Sequence, residues 1–174
     1  LFAGAWDGLY RSIDDGANWT FAPMDGAVCD IVAHDGFIWA GFQPGGVMRS
    51  ADGGQTWSDV NVGIPSSSIV TVLEVHGGTV WGEYGTGTVI RWNGSSWDEM
   101  GTDRSNALLS LGDILLSATW DGRIEYTADQ GASWHDFSTR YSGDTIECLE
   151  ATDTHLVLGA RASGYWARPL SDLP

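Results

Sequence analysis

The sequence contains no lysine. Its eight basic residues are all arginine (Arg11, Arg49, Arg91, Arg104, Arg123, Arg140, Arg161 and Arg168), against 23 acidic ones, for a formal charge of −15. A surface of that sign repels a phosphate backbone, so nucleic acid is not an expected partner. Cysteine is scarce. Cys29 and Cys148 fall in different halves of the chain and on inner strands of different repeats, so they are read as two buried thiols and not as a bridge. No apolar run is long enough to span a membrane. No window has the length and 3.6-residue period of a helix. The four histidines, His34, His76, His135 and His155, lack metal-ligand spacing, and neither a metal nor a cofactor is expected.

What is abundant is glycine (24) and tryptophan (10), in a chain that is 43% hydrophobic and 18% charged. That balance suits a globular fold of many short strands joined by tight turns. One phrase recurs. Ser50-Ala51-Asp52-Gly53-Gly54-Gln55-Thr56-Trp57 reads S-x-D-x-G-x-T-W, and Ser12, Asp14, Gly16 and Trp19 repeat it. So do Thr127, Asp129, Gly131 and Trp134, while Trp92-Asn93-Gly94-Ser95-Ser96-Trp97 is a shortened copy without the Asp. The closing tryptophans, Trp19, Trp57, Trp97 and Trp134, are 38, 40 and 37 residues apart. A period near forty is that of a four-stranded propeller blade. In each box the Asp carboxylate can accept from the N–H groups of the bend that follows, and the Ser or Thr hydroxyl can do the same. The Gly tolerates a positive φ. The Trp returns the chain to apolar packing, with a turn carbonyl as the expected partner of its indole N–H.

The box resembles the Asp-box, or BNR repeat, found in sialidase-like, sortilin-like and photosystem II assembly factor-like propellers. Leu1-Phe2-Ala3-Gly4 and Ile38-Trp39-Ala40-Gly41, ahead of the first two boxes, fit the same pattern. The resemblance implies an all-β propeller of four-stranded antiparallel blades, and it is specific for fold and weak for function.

Read as one propeller domain over 1–174, the chain divides into repeats at about 1–27, 28–68, 69–106, 107–144 and 145–174. The strands of a repeat are called A to D outward. The first repeat lacks A, and the fifth stops after C, where Pro169 is a poor strand continuation. The expected count is therefore 3 + 4 + 4 + 4 + 3, about five blades. A sheet wheel must close or leave raw edges. Closure by the chain itself is favoured over an arc completed by further sequence or by self-association. The chain opens mid-strand and without Met, which points to a processed, trimmed or excised segment.

Chemistry could sit at the inner strands or at loop tips. Asp30, Glu74, Glu147 and Glu150 on A strands could line a channel, and paired carboxylates at the right separation would hydrolyse a glycoside. No spacing ties them together, and the catalytic set of a sialidase is not found. Arg11, Arg49 and Arg91 precede the boxes at one offset, so symmetry spreads them around a wheel, and they are expected to bridge to neighbouring acids. Trp39 and Trp81 are expected in the core. Trp6-Asp7 and Trp120-Asp121 fill equivalent Trp-Asp-Gly turns, with Tyr84 and Trp166 in the corresponding region of other repeats. A ring at a loop tip beside a carboxylate can stack on a sugar while the acid takes its hydroxyls. The expectation is a non-catalytic binding or scaffold module for a protein or a glycan, secreted, periplasmic or at the cell surface. A glycoside hydrolase using channel carboxylates, or an assembly unit without a small ligand, are the alternatives.

Overall fold

The structure is a computed structural model that describes residues 1–102, 104–138 and 144–173. Arg140 and the end of the fourth repeat lie outside the described residues. Eighteen described strands form five antiparallel sheets of three, four, four, four and three strands. The first holds β1 (Phe2–Ala5), β2 (Gly8–Arg11) and β3 (Thr20–Pro23). The second holds β4 (Ala27–His34), β5 (Phe37–Gln43), β6 (Gly46–Ser50) and β7 (Ser58–Asp59). The third holds β8 (Val70–His76), β9 (Thr79–Tyr84), β10 (Thr88–Trp92) and β11 (Trp97–Glu99). The fourth holds β12 (Ser105–Leu111), β13 (Ile114–Thr119), β14 (Ile124–Thr127) and β15 (His135–Asp136). The fifth holds β16 (Ile146–Ala151), β17 (His155–Ala160) and β18 (Gly164–Pro169), followed by a 3₁₀ turn at Leu170–Asp172.

Turn chemistry explains the order. Between β4 and β5, Asp35 and Gly36 have φ of 49° and 76°, and Gly77 and Gly78 repeat this between β8 and β9 at 58° and 78°. Two positive φ values in succession make the type I′ turn whose twist matches a hairpin. Pro169 does not stop its strand early. It pairs with His155 as the last residue of β18, an edge position where a missing N–H costs nothing.

The chain forms two compact units. One comprises residues 1–85 and 90–99, the other 86–89 and 100–174. In the first unit, Leu9, Val28, Ala40 and Phe42 make one buried cluster, and Trp39, Val47, Ile64, Val70, Leu73, Val80, Ile90 and Trp97 another. In the second, Leu116, Ala118, Ile124, Phe137, Ile146, Leu149, Leu156 and Leu158 form the core. Trp39 and Trp81 are only 2% and 0% exposed, as core residues should be.

Every four-stranded sheet, and the fifth, carries a register shift near the start of its first strand, at Val28/Asp30, Val70/Val72, Ser105/Ala107 and Ile146/Cys148. A bulge bends the strand and aims one carbonyl out of the ladder. In the first unit that carbonyl meets glycine. A Cβ on Gly4 would lie 2.5 Å from the Val28 oxygen, and one on Gly41 2.7 Å from the Val70 oxygen. The A-G ending of the two flanking phrases is thus a steric requirement of sheet stacking.

Candidate functional site

The three full boxes are superimposable in their hydrogen bonding. Ser50 Oγ donates to Asp52 Oδ1 at 2.8 Å and accepts from the Gly54 N–H at 2.8 Å. Asp52 then accepts from the N–H of Thr56 at 2.9 Å and from its hydroxyl at 2.6 Å. Ser12, Asp14, Gly16 and Asn18 repeat the set, as do Thr127, Asp129, Gly131 and Ser133. The Thr56 bonds hold the Asp52 carboxyl well below its usual range, and the Ser133 bonds hold Asp129 at about 2. The shortened copy keeps the principle with an amide, Asn93 Oδ1 accepting from the N–H groups of Ser95 and Ser96.

Two features depart from expectation. Only Trp19 gives its indole N–H to its own turn, at Gly16 O. Trp97 donates instead to Val60 O at 2.6 Å and Trp134 to Met100 O at 2.7 Å, both in the preceding repeat. These indoles pin one repeat to the one before it. The Trp57 N–H is buried without a hydrogen-bond partner among the described residues. Two of the arginines ahead of the boxes, Arg11 and Arg49, also make no acid bridge among the described residues, against expectation. Arg11 Nε donates to Gly53 O at 2.6 Å, Arg49 lies 4.2 Å over the Phe37 ring, and Arg91 lies 5.6 Å over Trp81. Flat guanidinium groups beside a wall of rings gain more from stacking than from a solvated carboxylate.

Of the Trp-Asp-Gly turns, the first is open. Trp6 is 86% exposed at the tip between β1 and β2. The Asp7 carboxylate beside it makes no hydrogen bond among the described residues, while its carbonyl accepts from Met24 N–H at 3.2 Å. The second turn is closed. Asp121 accepts from Thr119 Oγ1 at 2.6 Å, Arg104 Nη1 at 2.8 Å and Arg123 Nε at 3.3 Å, and these bonds lower its carboxyl to about 2. The Arg123 N–H in turn donates to Thr119 Oγ1. Thr119, Asp121 and Arg123 thus reproduce the first half of a box inside a hairpin, an unexpected copy that the T-x-D spelling could have disclosed. Trp120 stays 47% exposed with the Arg104 guanidinium 5.3 Å from its ring. Tyr84 donates its hydroxyl to Glu99 at 2.5 Å, and Trp166, opposite Leu158 in the β17–β18 pair, is 42% exposed. Trp6 and Tyr84 belong to one unit, Trp120 and Trp166 to the other.

The inner carboxylates are each tied locally. Asp30 accepts from the N–H groups of Leu73 and Ile31, both at 2.8 Å, and burial nevertheless pushes its carboxyl up. Glu74 and Glu150 accept from the next residue's N–H, and Glu147 pairs with Arg161 at 2.6 Å. The cysteines correct an expectation. Both are free and exposed, each lying at the register shift of its sheet's edge strand, β4 or β16. No group of three His, Cys, Asp or Glu among the described residues could hold a metal ion.

No family model and no curated protein matches the chain. Solved structures do. The computationally designed Ika8 protein superposes with a TM-score of 0.71 at 18% identity, over 97% of this chain and 55% of that one. A GH74 xyloglucanase from Xanthomonas campestris gives 0.76 at 17% identity, over 100% of this chain and 35% of that one. YCF48 bound to a D1 peptide gives 0.71 at 12% identity, over 98% and 60%. The chain therefore spans little more than half, or less, of these structures. At such identities the likeness defines the fold. The chain is an all-β protein of the β-propeller class, built of about five antiparallel blades.

Proposed function

We propose that this is a non-catalytic binding or scaffold module of the Asp-box type, acting outside the cytoplasm on a glycan or a protein. The observation that carries the reading is the Trp6-Asp7 tip. A ring 86% exposed is costly to leave in water, and a neighbouring carboxylate without an internal partner has its acceptor capacity available. Asp121 differs, being engaged by two arginines, so the second turn contributes the Trp120 ring and the Arg104 edge. Among the described residues no helix is long and apolar enough to cross a membrane. Self-association that completes the propeller is the alternative to closure by the chain itself, and light scattering distinguishes the two.

The test is a glycan array run beside a peptide array, with wild type and Trp6→Ala. A ring stacked on a ligand contributes about 1 kcal/mol beyond its area, so the variant should bind about tenfold or more weakly. Equal binding by the two proteins, or no binding by either on both arrays, would reject the assignment of this tip.

A further inference from the structure

The first unit contains a cleft of about 500 Å³ that no part of the reading above uses. That is a volume typical of ligand pockets, roughly 300–1,000 Å³. Its floor is Met24, Phe42 and Met48, with Phe42 buried and both methionines half-buried against the same cluster. Pro23 and Pro44 form its sides. Asp25 and Asp59 stand at the rim, exposed, and neither carboxylate makes a hydrogen bond or ion pair among the described residues. This contrasts with Asp14, Asp30, Asp52 and Glu99 of the same unit, each of which accepts from a neighbouring side chain or N–H.

The wall is preformed. Asn61 accepts from Val47 N–H at 2.7 Å and donates to Gly45 O at 3.0 Å, so its amide ties the two ends of the loop together. The N–H groups of Gly45 and Gly46 both donate to Ser68 O. A cleft that need not reorganise loses less free energy on binding. Its floor is flexible, polarizable thioether, which adapts to apolar chains of varied shape.

We propose that this cleft receives the side chain of a lysine or arginine from a basic peptide segment. The alkyl stem would lie on Met24, Phe42 and Met48, and the cationic head would reach Asp25 and Asp59 at the rim. Charge complementarity selects the occupant. The chain has 23 acidic residues, eight arginines and no lysine, so its rim carboxylates look outward for a cation. The cleft adjoins the Trp6-Asp7-Gly8 turn through the Met24 N–H to Asp7 carbonyl bond, but none of its lining residues belongs to that turn.

The chain has three methionines, which makes methyl NMR the assay of choice. The probe is acetyl-Leu-Lys-Leu-Lys-amide, titrated into methyl-labelled protein, with the Glu counterpart of the peptide and butylamine as separate arms. The Met24 and Met48 resonances should move with the Lys peptide while Met100 does not. The double variant Asp25→Asn, Asp59→Asn should bind several-fold to about tenfold more weakly, as two partly exposed ion pairs imply. Trp6→Ala should leave these shifts intact, which separates this cleft from the aromatic tip. Three results would overturn the proposal: no movement of Met24 and Met48, equal movement with the Glu peptide, or butylamine binding as tightly as the peptide.

Discussion

Glu83 offers the most exacting test of the physical account. In the register of the sheets it occupies the first pair after the bulge, where Gly41, Ala118 and Gly159 stand in the others. The residue is 5% exposed. Oε1 accepts from Thr71 Oγ1 at 2.5 Å, whereas Oε2 is buried with no partner among the described residues. Burial lifts the carboxyl from the ordinary 4.5 to about 7, against the opposing pull of the Thr71 bond. Below pH 4.5 the group is protonated folded or unfolded and adds no pH dependence. Between 4.5 and about 7 the unfolded chain gives up the proton while the folded chain keeps it, so stability falls as pH rises. Above that window the loss is complete at about 3 kcal/mol, from about 1.4 kcal/mol per pH unit. Glu83→Gln removes the titration while keeping the volume. Urea denaturation at pH 4, 6 and 8 should show the variant gaining on wild type through this window. By pH 8 the gain should reach about 3 kcal/mol relative to pH 4, a midpoint difference of about 1–3 M. A difference between the two proteins that stays constant with pH would refute the argument.

Ser50→Ala removes a fully buried hydroxyl that bonds both Asp52 and Gly54, and should cost about 1–3 kcal/mol in the same denaturation assay; wild-type stability would mean the bend holds without it. Trp97→Phe deletes the N–H bond to Val60 O from a ring 3% exposed, and a loss of about 1–3 kcal/mol is expected, with faster amide exchange where the two repeats meet. At the acid end the bent carboxylates act oppositely to Glu83. Asp129 and Asp121, held at about 2, support the fold above the ordinary 3.8 and release that support as pH falls toward 2, so an acid-unfolding limb should appear there by circular dichroism. Both thiols should react with an aromatic disulfide reagent in the native protein, and Cys29 slowly near pH 8, because partial desolvation of its sulfur and the Asp30 charge raise its pKa; protection of either until denaturant is added would contradict their exposure.

The sequence by itself determined the local devices. Three boxes close on themselves within five residues, the hydroxyls of Ser12, Ser50 and Thr127 donating to the carboxylate two positions on and accepting from the glycine N–H four positions on. Such bonds depend on residue order alone, so the spelling discloses the bend, and the forty-residue period discloses the sheets. Tertiary structure decided everything that crosses from one sheet to another. The Trp97 indole finds its partner 37 residues back, and Arg49 settles on rings supplied by Phe37, Trp39 and Trp92. Glu83 becomes buried at a place where its counterparts are glycine or alanine. The Met24–Met48 cleft likewise joins the end of one repeat to the middle of the next. These partners lie far apart in the chain, and only the stacking of sheets, governed by where a bulged carbonyl fits against a glycine, brings them within bonding distance.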